Sequence, residues 1–286
     1  MTHELQLLNE IEKKLSVKEL LIAAKHINKQ YSIFTPDTQL WNQLKDVFGV
    51  QYSEIFDNYS KLIIANKFIN ALLLKYYPCE RTLKYYIANE LKSKEDTVVF
   101  EMQSLNSRVD MCRINGSSYA YEIKTEFDTF RRLEKQINDY SKVFEYIYVV
   151  VPESNLEELI EVLPSFCGII TYTFEQKISL LESRKATKSL NIEPKLQLEN
   201  LSVQDINSII NGHKIKKIPS SKEDRIQFLL NKYSARTINK DFKLILKNLY
   251  KSNWNFVRDN FSDILPIDIQ SFFSNTIDPS LIYFHE

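Results

Sequence analysis

One short run of apolar residues sets the strongest constraint on how this chain can fold. Residues 146–151 read Tyr-Ile-Tyr-Val-Val-Val and lack the polar alternation of a strand that has one face in water. A run of this kind is typical of a strand buried on both faces, as in sheets that helices cover on either side. The sequence therefore favours an α/β fold over an all-helical one.

A predicted hairpin precedes this run. Thr97–Met102 and Val109–Ile114 have strand-like composition, and Asn115-Gly116 separates the second of them from a returning strand at Tyr119–Ile123. An Asn-Gly pair between two such runs predicts a tight hairpin, because both residues tolerate a positive φ.

Helices alternate with strands in the rest of the central region. We expect one helix from Asp128 to about Val143, a second over Asn155–Leu163 and a further strand at Gly168–Tyr172. A hairpin followed by a helical crossover and a buried strand predicts a mixed sheet flanked by helices.

Both flanks of this region read as helical. The predicted organisation is a helical N-terminal region over residues 1–80, a core over 81–186 and a helical C-terminal region over 187–286, in which polar residues 187–200 are expected to form a linker. In the first flank we predict one helix over Tyr59–Tyr76, and chain breaks at Pro36 and Pro78.

Composition argues against several functional classes. The chain has only four glycines and no glycine-rich phosphate loop, which removes the usual support for a kinase or a dehydrogenase. It has no run of about 18 uncharged apolar residues, so a membrane span is not expected. Cys79, Cys112 and Cys167 are odd in number and lack zinc spacing, which predicts reduced thiols in a cytoplasmic protein.

Two acids and a lysine form the strongest chemical pattern. Glu122 and Lys124 lie two residues apart on one predicted strand and share a face, and the hairpin brings Asp110 near Glu122. Close carboxylates repel each other unless a divalent cation neutralises them, and oxygen ligands suit Mg²⁺ or Mn²⁺. We expect Asp110, Glu122 and the carbonyl of Ile123 to bind the metal, with Lys124 beside the attacking water or the phosphate.

These residues resemble the PD-(D/E)XK nuclease signature, and more closely the sce7726 family of that superfamily. The residues that carry the resemblance are Arg108, Asp110, Glu122, Lys124, Asp128, Arg132, Leu133, Gln136 and Tyr140. The similarity covers roughly residues 95–185, and Val109 replaces the usual proline. It implies a restriction-endonuclease-like mixed sheet and metal-dependent hydrolysis of phosphodiester bonds.

The resemblance also implies supporting roles at the site. The superfamily often adds a glutamate from the helix before the sheet, where Glu90 fits, and Glu101 on the first strand is a competing candidate. Gln136 is expected to act in catalysis. Tyr140 is expected either to contact nucleic acid or to serve only in the core, and Arg108 to contact a phosphate.

A basic stretch in the second flank predicts a polyanion partner. Residues 211–250 contain ten Lys or Arg and three Asp or Glu, an excess of seven positive charges. Phosphate contacts are expected from Lys216, Lys217, Arg236 and Lys240. The alternative is a solvated helical face without a ligand.

Three functions remain open from the sequence. The first is a Mg²⁺-dependent nuclease, acting on DNA rather than RNA, in restriction, repair or phage defence, as a homodimer where both strands are cut. The second is a catalytically silent nuclease fold that binds nucleic acid or another protein. The third is a helical nucleic-acid-binding regulator for which the α/β region is a scaffold.

Overall fold

The computed structural model describes residues 1–175, 177–216 and 219–273, which divide into two units. Unit 1 comprises Met1–Ile87, Phe174–Ser179 and the chain from Asn260 onward. Unit 2 comprises Ala88–Thr173 and Leu180–Asp259. The contacts therefore group the segment from about 187 to Asp259 with the central sheet.

Unit 1 is built from helices. In chain order they are α1 (His3–Glu12), α2 (Val17–Gln30), α3 (Asp37–Phe48), α4 (Ser53–Tyr59), α5 (Ala65–Tyr76) and most of α6 (Glu80–Glu90), with 3₁₀ turns at Val50–Tyr52 and Pro266–Phe273. The rings of Trp41, Phe48, Phe56 and Phe68 pack with centroids 5.4–6.2 Å apart. This aromatic cluster joins α3, α4 and α5.

The predicted single helix over Tyr59–Tyr76 is wrong, because the chain breaks between α4 and α5. The N–H of Ala65 donates to the Asp37 carboxylate at 2.7 Å. That side chain satisfies one of the N–H groups that a helix start leaves without a partner, so a new helix begins there. The breaks predicted at Pro36 and Pro78 are confirmed, since α3 starts after the first and α5 ends before the second.

The described residues form one six-stranded mixed sheet, which confirms the predicted α/β class with helical regions on either side. Its order follows the chain: β1 (Thr97–Ser104), β2 (Ser107–Asn115), β3 (Ser117–Ile123), β4 (Tyr146–Pro152), β5 (Gly168–Phe174) and β6 (Ile178–Arg184). β1, β2 and β3 pair antiparallel, whereas β3, β4 and β5 pair parallel. The sequence did not predict β6, whose largely exposed residues give little apolar signal.

The hairpin between β2 and β3 is confirmed. Asn115 pairs with Ser117 across Gly116, whose φ is +67°. Glycine adopts this left-handed conformation without the steric cost that a Cβ imposes. The turn thereby fixes the register of the two strands that carry the candidate site.

Tyrosine pairs identify the two faces of the central strands. Tyr119 stacks on Tyr146 with ring centroids 4.9 Å apart, and Tyr121 stacks on Tyr148 at 5.5 Å. Side chains alternate between faces along a strand, so Glu122 projects from the opposite face. A slip of one residue in β3 would exchange the two sets, and the tyrosine stacks oppose such a slip.

The crossover from β3 to β4 contains a helix shorter than predicted. In place of one helix over Asp128–Val143, a 3₁₀ turn at Phe130–Arg132 leads into α7 (Leu133–Ser141). The Asp128 carboxylate accepts hydrogen bonds from the N–H and the hydroxyl of Thr125, which holds the chain in a turn before α7. A further helix, α8 (Leu156–Val162), connects β4 to β5.

The remaining helices of unit 2 are α9 (Pro194–Glu199), α10 (Val203–Gly212), α11 (Lys222–Lys232) and α12 (Ala235–Asp259). α9 lies inside the segment expected as a linker, and its Gln197 and Leu198 are fully buried. The buried Glu145 carboxylate accepts from Lys243 at 2.8 Å and from Asn239 at 3.1 Å, both on α12. These bonds fix α12 beside the start of β4.

Within the described ranges, no helix combines the length and the apolar character needed to cross a bilayer. Cys79, Cys112 and Cys167 are buried and form no disulfide, as the sequence predicted. Burial raises the pKa of the Cys167 thiol to about 12, which disfavours its reactive thiolate form.

Replacing Gly116 with Ala tests the hairpin geometry. We expect a loss of about 1 kcal/mol in the free energy of unfolding, because a Cβ is strained at this positive φ although the space around it is open. Urea titration measures the change. Gly212→Ala is the matched control, since Gly212 lies at the end of α10 in open space, and it should be neutral or stabilising. Equal effects of the two substitutions would contradict the assigned role of the turn.

Candidate active site

The hairpin brings the three predicted residues to one end of β2 and β3. The antiparallel register reaches Met111 opposite Tyr121, and one further step places Asp110 opposite Glu122 on the same face. A carboxylate oxygen of Asp110 accepts a hydrogen bond from the N–H of Ile123 at 2.7 Å. Asp110 therefore reaches the backbone of β3 between Glu122 and Lys124.

Glu122 and Lys124 form a buried ion pair, as their spacing predicted. Lys124 Nζ donates to Glu122 Oε1 at 2.6 Å, and the side chains are 8% and 2% exposed respectively. Gln136 on α7 joins both, since its Nε2 donates to Glu122 Oε1 at 2.6 Å and its Oε1 accepts from Lys124 at 3.1 Å. The amide thus supplies a complementary donor and acceptor to a buried carboxylate and a buried ammonium.

Tyr140 reaches the second oxygen of Glu122 from the next turn of α7. Its hydroxyl lies 2.7 Å from Glu122 Oε2 and 2.7 Å from the carbonyl oxygen of Arg108, so its proton serves one acceptor at a time. Burial, reinforced by the negative charges of Glu122 and Asp110, raises the pKa of Tyr140. The hydroxyl therefore remains a donor at neutral pH, in a position that holds Glu122 in place.

A second carboxylate lies close to Asp110. In the antiparallel pairing of β1 and β2, Phe100 lies opposite Met111 and Met102 lies opposite Val109. Glu101 therefore lies opposite Asp110. Carboxylate oxygens of Glu101 and Asp110 lie within 4.8 Å of each other. Glu101 has a φ of +57° in mid-strand, a conformation that a residue with a Cβ adopts at a cost.

Arg108 marks the exposed side of this acidic pair. Its Nε lies 2.7 Å from Glu101 Oε2, and its side chain is 66% exposed. A guanidinium at this position offsets repulsion between the acids while its other donors face solvent. The exposed side of the site therefore carries Arg108 and Glu101, whereas the Glu122–Lys124 pair lies in the interior.

The hydrogen bonds of Glu122 and Lys124 leave part of the bonding capacity of each side chain unused. Among the described residues, Glu122 Oε1 accepts from two donors and Oε2 only from Tyr140, so Oε2 retains acceptor capacity. Over the same residues Lys124 donates to Glu122 and Gln136, which leaves one of its three N–H groups available. Among the described residues, Glu122 Oε2 therefore has room for one more donor, and Lys124 has one N–H without an acceptor.

The other predicted site residues lie at exposed positions. Glu90 is the last residue of α6, and the structure brings Glu101, its competitor, next to Asp110. Arg236 and Lys240 are exposed on α12, and Lys216 is exposed in the turn before α11. Lys217 lies outside the described residues.

The structure adds one supporting residue that the sequence did not indicate. Asp139 accepts from the hydroxyl of Ser107 at 2.6 Å, which ties α7 to the start of β2. Glu101, the candidate that competes with Glu90, lies beside Asp110, and the spacing of residues in the sequence could not show this proximity.

Similarity to known proteins extends over the whole candidate site. The family model described as bacteriophage P4 protein cII matches residues 76–272, which include the whole candidate site. A relative named protein cII, from Enterobacteria phage P4, is 24% identical over 164 residues, or 56% of this chain. The chain spans 61% of that relative's length. A solved structure, the SPO1766 protein of unknown function from Silicibacter pomeroyi, is 17% identical and has a TM-score of 0.31, covering 47% of this chain and 94% of its own.

Substituting Lys124 with Met tests the buried ion pair. Because Glu122 would keep its charge in the interior without the ammonium, we expect a loss of about 3–5 kcal/mol in the free energy of unfolding. Lys135→Met on the exposed face of α7 is the matched control and should change it by less than about 0.5 kcal/mol. Chemical denaturation followed by circular dichroism measures both. A similar small effect of the two substitutions would show that the pair does not stabilise the fold.

Proposed function

The chain belongs to the family of bacteriophage P4 protein cII, and we propose that it is a metal-dependent nuclease that hydrolyses phosphodiester bonds in DNA. The observation that carries the proposal is the convergence of Asp110, Glu122 and Lys124, with a single network linking the last two to Gln136 and Tyr140. An ion pair needed only for stability does not require an acidic pair at its exposed end. The resemblance to the PD-(D/E)XK nucleases supports the same assignment.

The donor set fits a divalent cation with a preference for oxygen ligands. The carboxylates of Asp110 and Glu101 are close enough to share an ion, and Glu122 Oε2 retains acceptor capacity. With the carbonyl of Ile123, these groups would supply the oxygen ligands that Mg²⁺ and Mn²⁺ prefer. A metal bound there would supply a water of lowered pKa and stabilise charge on a phosphate oxygen.

The side chains around this set have separate tasks in the proposal. Lys124 uses its remaining N–H to hold a phosphate oxygen or the attacking water. Gln136 and Tyr140 fix the orientation of Glu122, so that its free acceptor keeps one direction. Arg108, exposed beside Glu101, offers its remaining donors to a neighbouring phosphate.

The substrate assignment rests on charge. Arg236 and Lys240 are exposed on one face of α12, one helical turn apart, where they suit the regular charge of a DNA backbone. Lys216 extends the basic surface, and we include Lys217 on the basis of the sequence alone. A cytoplasmic location, action in restriction, repair or phage defence, and a homodimer that cuts both strands belong to the same proposal.

The exposed cations on α12 also favour a second candidate function. A catalytically silent protein that binds nucleic acid through Arg236 and Lys240 would need the anchoring of α12 but not the acidic pair. Complete retention of Asp110, Glu122 and Lys124 favours the enzyme, since a site without turnover has no need for all three.

A cleavage panel tests the proposed activity. The full chain is incubated with plasmid DNA, linear DNA and RNA in Mg²⁺, Mn²⁺ or EDTA, and products are resolved on gels. We expect DNA cleavage with either metal and none in EDTA. Asp110→Asn and Glu122→Gln should lower the rate by at least about a hundredfold, because each removes charge that the metal needs.

Glu157→Gln is the control for this panel, because it removes an exposed carboxylate on α8 that has no role in the proposed site. It should cut DNA at the rate of the unaltered chain. Cleavage that survives Asp110→Asn would place the activity elsewhere. Binding of DNA without cleavage under every metal condition would favour the second candidate function.

A further inference from the structure

A cavity in unit 1 has features that the proposed nuclease does not use. Its volume is about 670 Å³, and its apolar wall includes Ile33, Phe34, Ile64 and Leu265. Cavities of this size typically bind small molecules or single side chains with their neighbouring backbone. At its edge lies Asn66, the second residue of α5.

A buried hydrogen-bond chain fixes the orientation of Asn66. The hydroxyl of Tyr31 donates to the fully buried carboxylate of Asp268 at 2.7 Å, so its oxygen is an acceptor toward Asn66. The amide nitrogen of Asn66 fills that role at 2.9 Å. Because the nitrogen must face Tyr31, the other amide atom of Asn66 is the carbonyl oxygen.

Asn66 is 8% exposed, yet two of its polar groups lack partners. Within the described ranges, its amide oxygen accepts no hydrogen bond, and its backbone N–H donates none, as expected near a helix start. The amide oxygen is not among the fully enclosed polar atoms that lack a partner, so solvent or a ligand atom can reach it. This residue thus offers one donor and one acceptor, the two groups that the C=O and N–H of one residue in an extended chain complement.

Charged residues around the cavity favour a positive partner. Asp37 and Asp263 line it together with Lys67, so acids outnumber bases. Asp37 already accepts from the N–H of Ala65, whereas Asp263 is exposed and makes no ion pair with any described residue. Asp263 is therefore the group best placed to attract a cation.

We propose that this cavity binds a peptide segment of a partner protein, in which an apolar side chain is followed by a lysine or arginine. The apolar side chain enters between Ile33, Phe34 and Leu265. The C=O and N–H of one extended residue of the segment, which point the same way, accept from the N–H of Asn66 and donate to its amide oxygen. The basic residue pairs with Asp263. This site gives unit 1 a recognition role that does not depend on the nuclease activity.

The capped dipeptide N-acetyl-leucyl-lysine amide provides a direct probe. It is titrated into the full chain carrying ¹³C-labelled isoleucine and leucine methyl groups. We expect saturable shifts of the methyl signals of Ile33, Ile64 and Leu265 at millimolar probe, the affinity range of so small a ligand. Ile64→Trp, which places a larger ring at the edge of the cavity, should abolish them, whereas Ile22→Trp on the exposed face of α2 should not.

Charge and amide recognition are tested separately. Asp263→Asn should weaken the probe several-fold, while Asp46→Asn, an exposed acid outside the cavity wall, should leave its affinity unchanged. Absence of shifts at the cavity methyls, or shifts that persist in Ile64→Trp, would overturn the site. Equal occupancy by n-hexylamine, which has a cation and an apolar chain but no amide, would overturn the assignment to a peptide.

Discussion

The fold of unit 2 depends on how it accommodates Glu122, a carboxylate with almost no exposure to solvent. A charge in the interior is stable only when donors surround it. Here Lys124, directly after β3, and Gln136 and Tyr140 on α7 supply them. The hairpin register and the tyrosine stacks of β3 and β4 keep Glu122 on the correct face. The crossover helix cannot shift by a turn without removing two of these donors, Gln136 and Tyr140, from the charge.

The same network joins the buried ion pair to further polar groups. Among the described residues, Glu122 Oε2 has room for one more donor, and Lys124 has one N–H without an acceptor. Asp110 lies beside them, and its carboxylate is close to that of Glu101. Arg108 then places a positive charge at the solvent edge. The stability of the fold accounts for the interior pair, whereas the proposed chemistry uses the acids at its exposed end.

Local patterns in the sequence predicted the parts of the fold that depend on neighbours in the chain. The Asn115-Gly116 turn, the buried strand at residues 146–151 and the shared face of Glu122 and Lys124 follow from turn chemistry and from strand periodicity. The break before Ala65 could not be predicted, because the carboxylate that starts α5 comes from Asp37, distant in sequence.

Tertiary contacts decided the remaining features of the site. Glu101, which lies beside Asp110, has a positive φ within β1, and no residue type in the sequence signals this conformation. The docking of α12 depends on Glu145, a residue with an ordinary sequence context, whose carboxylate accepts from Lys243 and from Lys188. Burial raises the pKa of this carboxylate, but the hydrogen bonds from Lys188 and Lys243 outweigh it, and the net pKa is lowered.

The proposed function depends on Asp110, its neighbouring acids and the strand backbone binding one divalent cation. Titration of Mn²⁺ into the full chain, followed by electron paramagnetic resonance of the free ion, measures this directly. We expect one bound Mn²⁺ per chain, lost in Asp110→Asn and retained in Glu157→Gln, which removes an exposed carboxylate on α8. Equal Mn²⁺ binding by Asp110→Asn and the unaltered chain would contradict the proposed site.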